Sequence, residues 1–564
     1  MNIESKLESI FPSKQDNPSN LDLRLGTLVG GSLSKGLTVK LDAGELPGSM
    51  IEQLAVGRYV VIQGLTERRF FCIVTDVSLE HTNPSIESNP PETTDMYTAE
   101  IYRSTLVYGR ANVAPMLVLE PGSEEPKPVK TIPAHFSVVS QANEEDVARV
   151  FGKADDDHFY IGNPIEMDQV PINVNLDRFI ERSSGVFGKS GTGKSFITRT
   201  LLSGIVKSGK ASCLIFDMHN DYGWAIKNEH GREYKGLQQL FDANRVNVIT
   251  LDPETSQTRG NRHDGALHIP YDAIEPEDIA MLAGVLTLSE VQVNALYFLR
   301  RRLGRKWLRK LLSDDEHDQT ELDEFIQQGD LIKGTLGAIQ RKFEIFRHMG
   351  FLQTNVREDL VETLFQKLNS GISIVLEFGI YGDSLPAYMF VANYLTRRIH
   401  HRYVATKNKA FGHQGDEPNP LMIVIEEAHK FLDPEISQHT IFGTIARELR
   451  KYNVTLLVVD QRPSGIDDEV MSQIGTRVTC LLDNESDIRA VFSGVSGASA
   501  LREVLARLDT QQQALIMGHA VPMPVVIRTR DYGPELYAEI TGGESHDIQS
   551  DGEKVAQAKA DLFG

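Results

Sequence analysis

The clearest chemical pattern lies between Gly188 and Ser195, where the sequence reads GKSGTGKS and fits GxxxxGK[ST]. Glycines here let backbone N–H groups turn toward a phosphate, and the N-terminus of a following helix adds positive potential. SSGVF before the loop is typical of a strand and SFITRTLLSGIV after it of a helix, as the pattern requires. The alternative is a chance glycine turn. We predict a nucleotide-binding segment made of Gly188, Lys189, Ser190, Gly191, Thr192, Gly193, Lys194, Ser195 and Phe196.

Two carboxylates complete the pattern of a site for ATP and Mg²⁺. Lys194 is expected to reach the β- and γ-phosphates, and Ser195 to hold Mg²⁺. The apolar run LMIVIEE ends in Glu426 and Glu427, as a second buried strand of such a site should. We predict that Glu426 lies by Mg²⁺ and its waters, and that Glu427 orients or deprotonates the attacking water. The alternative is a solvated acidic strand end.

Three further residues fit the same reaction. Gln461 follows the strand-like LLVVD, at the end where doubly wound sheets place ligand contacts, and its amide can sense a γ-phosphate. Arg447 and Arg450 lie at helical spacing in IARELRKYNV. Phosphoryl transfer gains from an arginine that reaches in from a neighbouring subunit, so both are candidates. The alternatives are a polar strand terminus and a solvated basic helix face.

The run CLIFDMHNDYG ends a strand-like stretch with a polar cluster that includes Asp217 and His219. This cluster should face the same sheet edge as the glycine loop. We predict that both residues bind the ligands of Mg²⁺ and nucleotide, and so act on these groups indirectly. A separate metal site is a weaker reading, because a single histidine with scattered acids is poor evidence for one. The other alternative is a set of turn and cap residues.

The elements that must position these residues form an α/β fold. Apolar runs such as ASCLIFDM, GISIVLEF and VTLLVVDQ alternate with helical patterns, which is typical of a mainly parallel sheet covered on both faces. Before them, short β-prone runs predict a small barrel or sandwich: LRLGTLVGG, LTVKLD, RYVVIQG, RFFCIVTDVS, AEIYRSTLVYG and PMLVLEPG. The Pro/Ser/Glu-rich stretch 80–94 is predicted to be a long exposed loop.

Changes in pattern divide the chain into parts. Apolar residues at three and four spacing after Glu275 indicate helices. The basic run from Arg300 to Lys310 there fits a nucleic-acid backbone contact or, alternatively, a solvated or partner-facing helix. The predicted parts are an N-terminal lead (1–20), a β-barrel (21–150), the first part of the ATPase core (151–274), a helical insert (275–369), the second part of the core (370–540) and a flexible C-terminal tail (541–564).

Composition limits the class of protein. The 564 residues carry a formal net charge of −20, which excludes a generic basic nucleic-acid coat. A ring that is acidic outside and basic only in its channel stays possible. Cys72, Cys213 and Cys480 stand apart without metal spacing and are predicted to be reduced and buried. Without a signal pattern, or a run of about 18 apolar residues, the chain is predicted to be cytoplasmic with no membrane contact.

Five motifs in order resemble those of the HerA ATPases, in the HerA/FtsK branch of P-loop motor proteins: GVFGKSGTGKS, FDMHNDYG, VIEEAHKFL, ARELRKYNV and VVDQRPS. The resemblance covers about residues 155–535, and the β-rich N-terminus looks like the barrel that precedes the HerA motor. It implies a RecA-like P-loop ATPase core. It also implies roles for Lys194 and Ser195 as the P-loop pair, Glu426 and Glu427 as Walker B acids, Gln461 as sensor, and Arg447 or Arg450 as the trans-acting finger.

The resemblance further implies a homo-hexameric ring that threads double-stranded DNA and translocates on ATP hydrolysis. Its implied partner is a NurA-type nuclease in DNA-end processing, or an anti-phage effector such as a nuclease or a sirtuin-type NAD hydrolase, docked on the N-terminal barrel. The acidic balance of the chain departs from what a DNA motor should show. An alternative is therefore an ATP-hydrolysing hexameric scaffold that activates an effector with little translocation. A metabolic P-loop kinase is a third reading, against which the tandem glutamates and QRPS argue.

Overall fold

A computed structural model describes most of the chain. The described residues are 24–42, 51–52, 54–91, 96–123, 126–152, 155, 157–165, 167, 170–227, 231–329, 331–354, 356, 360–437, 440–448, 451–495, 498–509 and 512–542. The predicted N-terminal lead, nearly all of the predicted C-terminal tail, and Arg450 lie outside them.

The first seven strands form a small barrel. They are β1 (Arg24–Ser32), β2 (Gly36–Leu41), β3 (Tyr59–Gln63), β4 (Arg69–His81), β5 (Val107–Leu119), β6 (Lys127–Pro128) and β7 (Val138–Gln141). All pairings are antiparallel in the order β2-β1-β7-β3-β4-β5-β6. Because β2 also pairs with β5, six of these strands close on themselves. The predicted N-terminal barrel is therefore confirmed.

A second sheet of twelve strands follows. Its strands are β8 (His158–Pro164), β9 (Ile172–Asn175), β10 (Ser184–Phe187), β11 (Ser212–Asp217), β14 (Val246–Thr250), β15 (Gly265–Ala266), β18 (Ser373–Glu377), β19 (Leu421–Glu426), β20 (Val454–Asp460), β21 (Thr476–Thr479), β22 (Gln513–Gly518) and β23 (Val525–Thr529). Two short ladders stand apart from it, β12 (Ile226–Lys227) with β13 (Glu233–Tyr234), and β16 (Ile269–Pro270) with β17 (Leu352–Gln353).

The strand order of the large sheet is β15-β14-β18-β11-β19-β20-β10-β21-β22-β23-β8-β9. The pairings from β15 through β21 are parallel, and those from β21 to β9 are antiparallel. Parallel strands buried on both faces consist of continuous apolar residues, and β11, β18 and β19 are buried throughout. The predicted fold class, α/β with a mainly parallel sheet, is thus confirmed.

Helices connect the strands and cover the sheet. Their bounds are α1 (Ser85–Ser88), α2 (Met96–Thr105), α3 (Glu144–Phe151), α4 (Leu176–Glu181), α5 (Lys194–Ser208), α6 (Leu237–Leu240), α7 (Pro253–Thr258), α8 (Pro276–Ala280), α9 (Glu290–Leu303), α10 (Trp307–Leu312), α11 (Glu316–Gln327), α12 (Lys333–Arg347), α13 (Leu360–Asn369), α14 (Leu385–Phe411), α15 (His429–Leu432), α16 (Ile441–Glu448), α17 (Asp468–Gln473), α18 (Glu485–Val491), α19 (Ala498–Ala506) and α20 (Pro534–Thr541). Helices α8 to α13 occupy the stretch that was predicted to be helical, with β17 as a short interruption.

Two details of the barrel region differ from the sequence predictions. AEIYRST, predicted as part of a strand, belongs to α2, and β5 begins only at Val107. Ala, Glu and Arg are good helix formers, and they outweigh the β-prone Ile and Tyr in this stretch. The predicted exposed loop also contains the end of β4 and the single turn α1.

The barrel and the large sheet share a hydrophobic core. Along β4, Phe70 packs inside the barrel, while its neighbour Phe71 belongs to the core of the large sheet. This alternation follows from the two-residue period of a strand. Tyr59 lies 5.4 Å from Phe71 and 6.0 Å from Phe151 of α3, measured between ring centroids. Within the described residues, no helix combines the length and apolar character that crossing a bilayer requires.

Candidate functional site

The glycine loop connects β10 to α5, as the sequence predicts. The Gly188 N–H donates to the Asp460 carbonyl oxygen at 3.3 Å, and the Lys189 N–H donates to that of Leu481 at 3.1 Å. These contacts fix the start of the loop between two neighbouring strand ends. Gly188 has a φ of 152°, and a Cβ there would lie 2.7 Å from the Cβ of Cys480, so only glycine fits. Open space surrounds Gly191, where a phosphate can approach the backbone.

The two lysines of the loop have different surroundings. Lys194, the first residue of α5, folds over the loop and donates from Nζ to the Lys189 carbonyl oxygen at 3.1 Å. Burial lowers the pKa of Lys194, and nearby acids, including Glu427, oppose this effect. Lys189 instead pairs with the exposed Asp483 at 2.8 Å. Lys194 is therefore the lysine that lies among the acidic side chains of the site.

Glu426 ends β19 next to Val459 of β20 and is 7% exposed. Its Oε1 accepts a hydrogen bond from the Tyr222 hydroxyl at 2.8 Å, and its backbone N–H donates to the Tyr388 hydroxyl at 3.1 Å. Its Oε2 is buried without a hydrogen-bond partner among the described residues. Burial, together with the charge of Asp217, raises the pKa of Glu426 to about 8. Among the described residues, the site thus contains a buried carboxyl group with one oxygen that no hydrogen bond satisfies.

Asp217 and His219 lie close in sequence but in different environments. Asp217 ends β11, is fully buried, and accepts the N–H groups of Asp221, Tyr222 and Gly223 at 2.7, 2.9 and 3.1 Å. These three bonds shape the turn that brings Asp221 to Ser195, whose hydroxyl donates to the Asp221 carboxylate at 3.5 Å. Burial raises the pKa of Asp217 to about 6. The His219 side chain is exposed.

These residues fit a bound Mg²⁺. Ser195 and Asp221 supply oxygen atoms, and the unpartnered Oε2 of Glu426 supplies another at the same sheet edge. Oxygen ligands are those that Mg²⁺ prefers, and it usually keeps several waters and substrate phosphates in its shell. In the part of the chain that the structure describes, no three His, Cys, Asp or Glu side chains form a ready-made metal centre. Both facts fit a cation held jointly with a nucleotide.

Glu427 follows the end of β19 in a strained conformation. Its φ is 49°, in the left-handed region that residues other than glycine rarely adopt. Its Oε1 accepts a hydrogen bond from the Gln461 side-chain amide at 2.7 Å. The predicted base and the predicted sensor are thus in direct contact. Strain of this kind costs on the order of 1–3 kcal/mol and is concentrated at functional sites.

The structure adds further residues that the sequence analysis did not single out. Asp460 and Glu377 end the buried strands β20 and β18, and His429 begins α15. Burial, with the charge of Asp217 next, raises the pKa of Glu377 to about 8. The available signal was the position of the two acids, because each closes an apolar run at the same edge as Glu426. Nothing in the sequence indicated that His429 contacts Asp460.

The arginine candidates are only partly described. Arg447 of α16 donates from Nε to Glu469 at 3.0 Å and from Nη2 to the Ser437 hydroxyl at 3.2 Å. It is therefore held by residues of its own chain. Arg450 lies outside the described residues, so the choice between the two arginines stays open.

Phe196 and the remaining loop residues line one side of the α5 N-terminus. The Phe196 ring lies 4.7 Å from the ring of Tyr234 and 6.4 Å from that of Tyr532. The Thr192 hydroxyl donates to the Lys189 carbonyl oxygen at 2.8 Å and so closes the loop, while Ser190 is exposed. Phe196 is the one loop residue with an aromatic surface beside the predicted phosphate site.

The basic run in the helical segment is partly neutralised. Arg300 pairs with Glu275 at 2.7 Å, and Lys310 pairs with Glu321. Beside this segment lies a cavity of about 1140 Å³, away from the glycine loop, whose lining includes Arg397 and Arg398. The fully buried Asp278 carboxylate accepts hydrogen bonds from both arginines. Much of the positive charge of these arginine and lysine side chains is therefore paired with carboxylates of the same chain.

The chain is similar in sequence to known helicases. A sequence model of the family described as "Helicase HerA, central domain" matches residues 159–399. The DNA double-strand break repair helicase HerA of Saccharolobus solfataricus is 25% identical over 434 residues, which cover 75% of this chain and 78% of that protein. The protein of the same name from Pyrococcus furiosus is 23% identical over 425 residues, 70% of this chain and 73% of that one.

A comparison with solved structures finds VirB4 of Thermoanaerobacter pseudethanolicus. The TM-score is 0.42 at 14% sequence identity, and the alignment covers 68% of this chain and 99% of that one.

Proposed function

The chain is a HerA-type P-loop ATPase, and from that premise we propose that it is a homo-hexameric motor that hydrolyses ATP to move along double-stranded DNA. The observation that carries the proposal is the meeting of Lys194, Glu426 and Glu427 beside an open glycine loop. A base, a cationic group and a phosphate cradle are the parts that phosphoryl transfer to water needs.

Each side chain has a role that its position supports. The loop N–H groups and the Lys194 ammonium bind the β- and γ-phosphates and stabilise the charge that develops there. Glu427 accepts a proton from the attacking water, and Gln461 holds the Glu427 carboxylate and reports on the γ-phosphate. Mg²⁺, when bound by Ser195 and through water by Glu426, would supply neutralisation of phosphate charge. Asp217 shapes the turn that carries Asp221 to Ser195.

The names of the relatives and the exposed apolar surface of the barrel support the proposed partners. The relatives are named as DNA double-strand break repair helicases, which supports DNA as the track. The barrel carries exposed apolar side chains, among them Val29, Phe136 and Val138, which suit it to docking. We assign this face to a partner nuclease in DNA-end processing or to an anti-phage effector. An arginine of the neighbouring subunit, Arg447 or Arg450, completes the site in the ring.

A second candidate is a hexameric scaffold that hydrolyses ATP and activates an effector with little translocation. The net charge of −20 favours it, as do the ion pairs that neutralise Arg300 and Lys310. DNA affinity rests largely on basic side chains that contact phosphates. In this case ATP turnover is slow and insensitive to DNA, and effector activity survives Glu427→Gln.

The rate of ATP hydrolysis, with and without linear double-stranded DNA, tests the proposal on protein whose mass has been measured in solution. Several-fold stimulation of a hexamer supports the motor. A hexamer whose rate ignores DNA supports the scaffold. Lys194→Ala is the control, because it removes the cationic group at the β- and γ-phosphates and should abolish hydrolysis. Unchanged turnover in that variant would overturn the site assignment.

A further inference from the structure

His429 stands beside the predicted base. Its Nδ1 lies 3.0 Å from Oδ2 of Asp460 and 3.7 Å from Oε2 of Glu427. Because a carboxylate can only accept, the proton sits on Nδ1 and the ring donates to Asp460. The imidazole therefore occupies the space next to Oε2 of Glu427. The Gln461 amide donates a hydrogen bond to the other oxygen, Oε1, at 2.7 Å.

Asp460 connects three segments of the site. Its fully buried side chain accepts the His429 N–H and the Arg462 N–H, each at 2.6 Å, in addition to the His429 ring. Its carbonyl oxygen accepts the Gly188 N–H at 3.3 Å. One residue thus links the glycine loop, the segment after Glu427 and the sensor Gln461, which follows it in the chain.

The side chain of His429 also lies close to a glycine. Gly465 of the 3-10 turn Pro463–Gly465 lies against it, and a Cβ at this glycine would come within 3.1 Å of the His429 Cβ. The side chain is only 13% exposed. The imidazole therefore has little freedom to leave the position beside Glu427.

We propose that His429, oriented by Asp460, is a positioning residue that holds the Glu427 carboxylate in the geometry for water attack. This inference rests on the proposed ATPase function of the same site. Glu427 has a strained backbone and a side chain that is 28% exposed, so its own packing does not fix its direction. Gln461 restrains Oε1 of Glu427 through a hydrogen bond, and the His429 ring limits the space in which Oε2 can move. Small misplacements of a catalytic group are costly, since about 1 Å can reduce the rate 10²-fold.

The decisive comparison is between His429→Ala and His429→Asn. Alanine removes the ring beside Glu427 and its hydrogen bond to Asp460. It should lower kcat about 10- to 100-fold and leave the KM for ATP within about twofold of the wild-type value. Asparagine carries an N–H donor near the position of Nδ1 and should recover most of kcat. His317→Ala serves as a matched control, because this exposed histidine lies on α11 in the helical segment. It should leave kcat and KM unchanged.

Binding of a fluorescent non-hydrolysable ATP analogue and the melting temperature are measured on the same proteins. Retained affinity and melting with a reduced kcat support positioning. A parallel loss of kcat, affinity and melting temperature would make His429 merely structural and overturn the proposal. So would an asparagine variant as slow as the alanine variant. If wild-type protein itself fails to hydrolyse ATP, the proposed function fails instead.

Gly465→Ala provides an independent test, since it pushes on the ring without altering a polar group. The contact of 3.1 Å requires a shift of a few tenths of an ångström, so we expect a several-fold lower kcat with the KM for ATP unchanged. In the His429→Ala background the added methyl still meets the Cβ at 3.1 Å but displaces no ring, so the part of its effect on kcat that acts through the imidazole should disappear. Equal effects of Gly465→Ala in both backgrounds would contradict the proposal.

Discussion

Glu426 and Glu427 are adjacent in the chain but differ in burial, in hydrogen bonding and in backbone conformation. Glu426 lies in the last strand position, is buried and has one oxygen without a hydrogen-bond partner in the part of the chain that the structure describes. Glu427 lies beyond the strand, is partly exposed and has a left-handed backbone. Burial suits a group that faces a cation, and exposure suits a group that must contact water. The difference in role that the sequence predicted for the pair therefore has a structural basis, although the roles stay predictions.

Glu427→Gln tests the role of the base. The amide keeps the size of the side chain and can still bond to Gln461, but it cannot take a proton from water. We expect ATP binding close to that of wild type and hydrolysis about 10²- to 10⁴-fold slower. Single-turnover hydrolysis and nucleotide binding measure the two effects. A wild-type rate would mean that Glu426 or another group is the base.

Glu377→Gln tests the buried carboxyl next to Asp217. The folded protein holds the pKa of Glu377 at about 8, against an ordinary value of 4.5. Between these values the folded state binds the proton that the unfolded state has lost. The free energy of unfolding therefore falls as the pH rises through this window, by up to about 1.4 kcal/mol per pH unit. Glutamine carries no titrating group and keeps an acceptor for Ser256.

We therefore expect the variant to gain in melting temperature relative to wild type as the pH rises from about 5 to about 8. Calorimetry of both proteins without nucleotide measures the difference at several pH values. A difference that stays constant across the window would show that Glu377 does not titrate there.

At the residue level, the sequence was a good guide where a motif dictates position. The loop residues and Glu426 lie at one sheet edge because parallel strands align their carboxyl ends. His429 was missed since its contact with Asp460 joins residues 31 positions apart, and only the register of β19 against β20 brings them together. The exposure of the His219 side chain could likewise not be predicted from the sequence, because the geometry of the turn decides where a side chain after a strand points.

Among the elements, α5 carries both Lys194 and Ser195. One face of α5 packs on β8, where a Cβ at Gly204 would lie 2.6 Å from the buried Phe159 ring. Alanine there gains about 1 kcal/mol of helix propensity. Overpacking of a filled core costs about 1–3 kcal/mol. The second effect should prevail, because the ring has little room to move.

Gly204→Ala should therefore lower the melting temperature, although it lies far from the chemistry. Gly334→Ala is the matched control, since this glycine is on α12 with open space around it, and it should raise stability by about 0.5–1 kcal/mol. Thermal melting of both variants decides the point. A stabilising Gly204→Ala would mean that α5 and β8 shift apart easily.

Element types were predicted well where period and composition agreed, as in the buried parallel strands. The error at α2 arose where they conflicted, because short mixed sequences carry little periodic signal. The barrel was predicted, but the strand pair that closes it, β2 with β5, was not, since this pairing depends on contacts between residues such as Leu37 and Val113. Local patterns do not encode such long-range pairing.

At the scale of the molecule, the shared core predicts that barrel and ATPase sheet unfold together. Phe71→Ala removes a side chain from this shared core and should cost about 3–5 kcal/mol. We expect it to split the calorimetric transition into two. Phe70→Ala is the matched control, because the neighbouring ring packs inside the barrel. It should destabilise the barrel without uncoupling it in this way, and identical profiles for the two variants would refute the distinction.

The core shared by barrel and sheet also has a mechanical consequence. Close-packed side chains have low compressibility and transmit strain, so the contact between Tyr59, Phe71 and Phe151 is stiff. The barrel then works as a rigid lever arm on the sheet that carries the nucleotide loop. A sub-ångström tilt at the strand ends becomes a larger displacement at the barrel rim. In reverse, we expect tension applied to the rim by a docked body to be felt at the strand ends and to change the rate of ATP turnover.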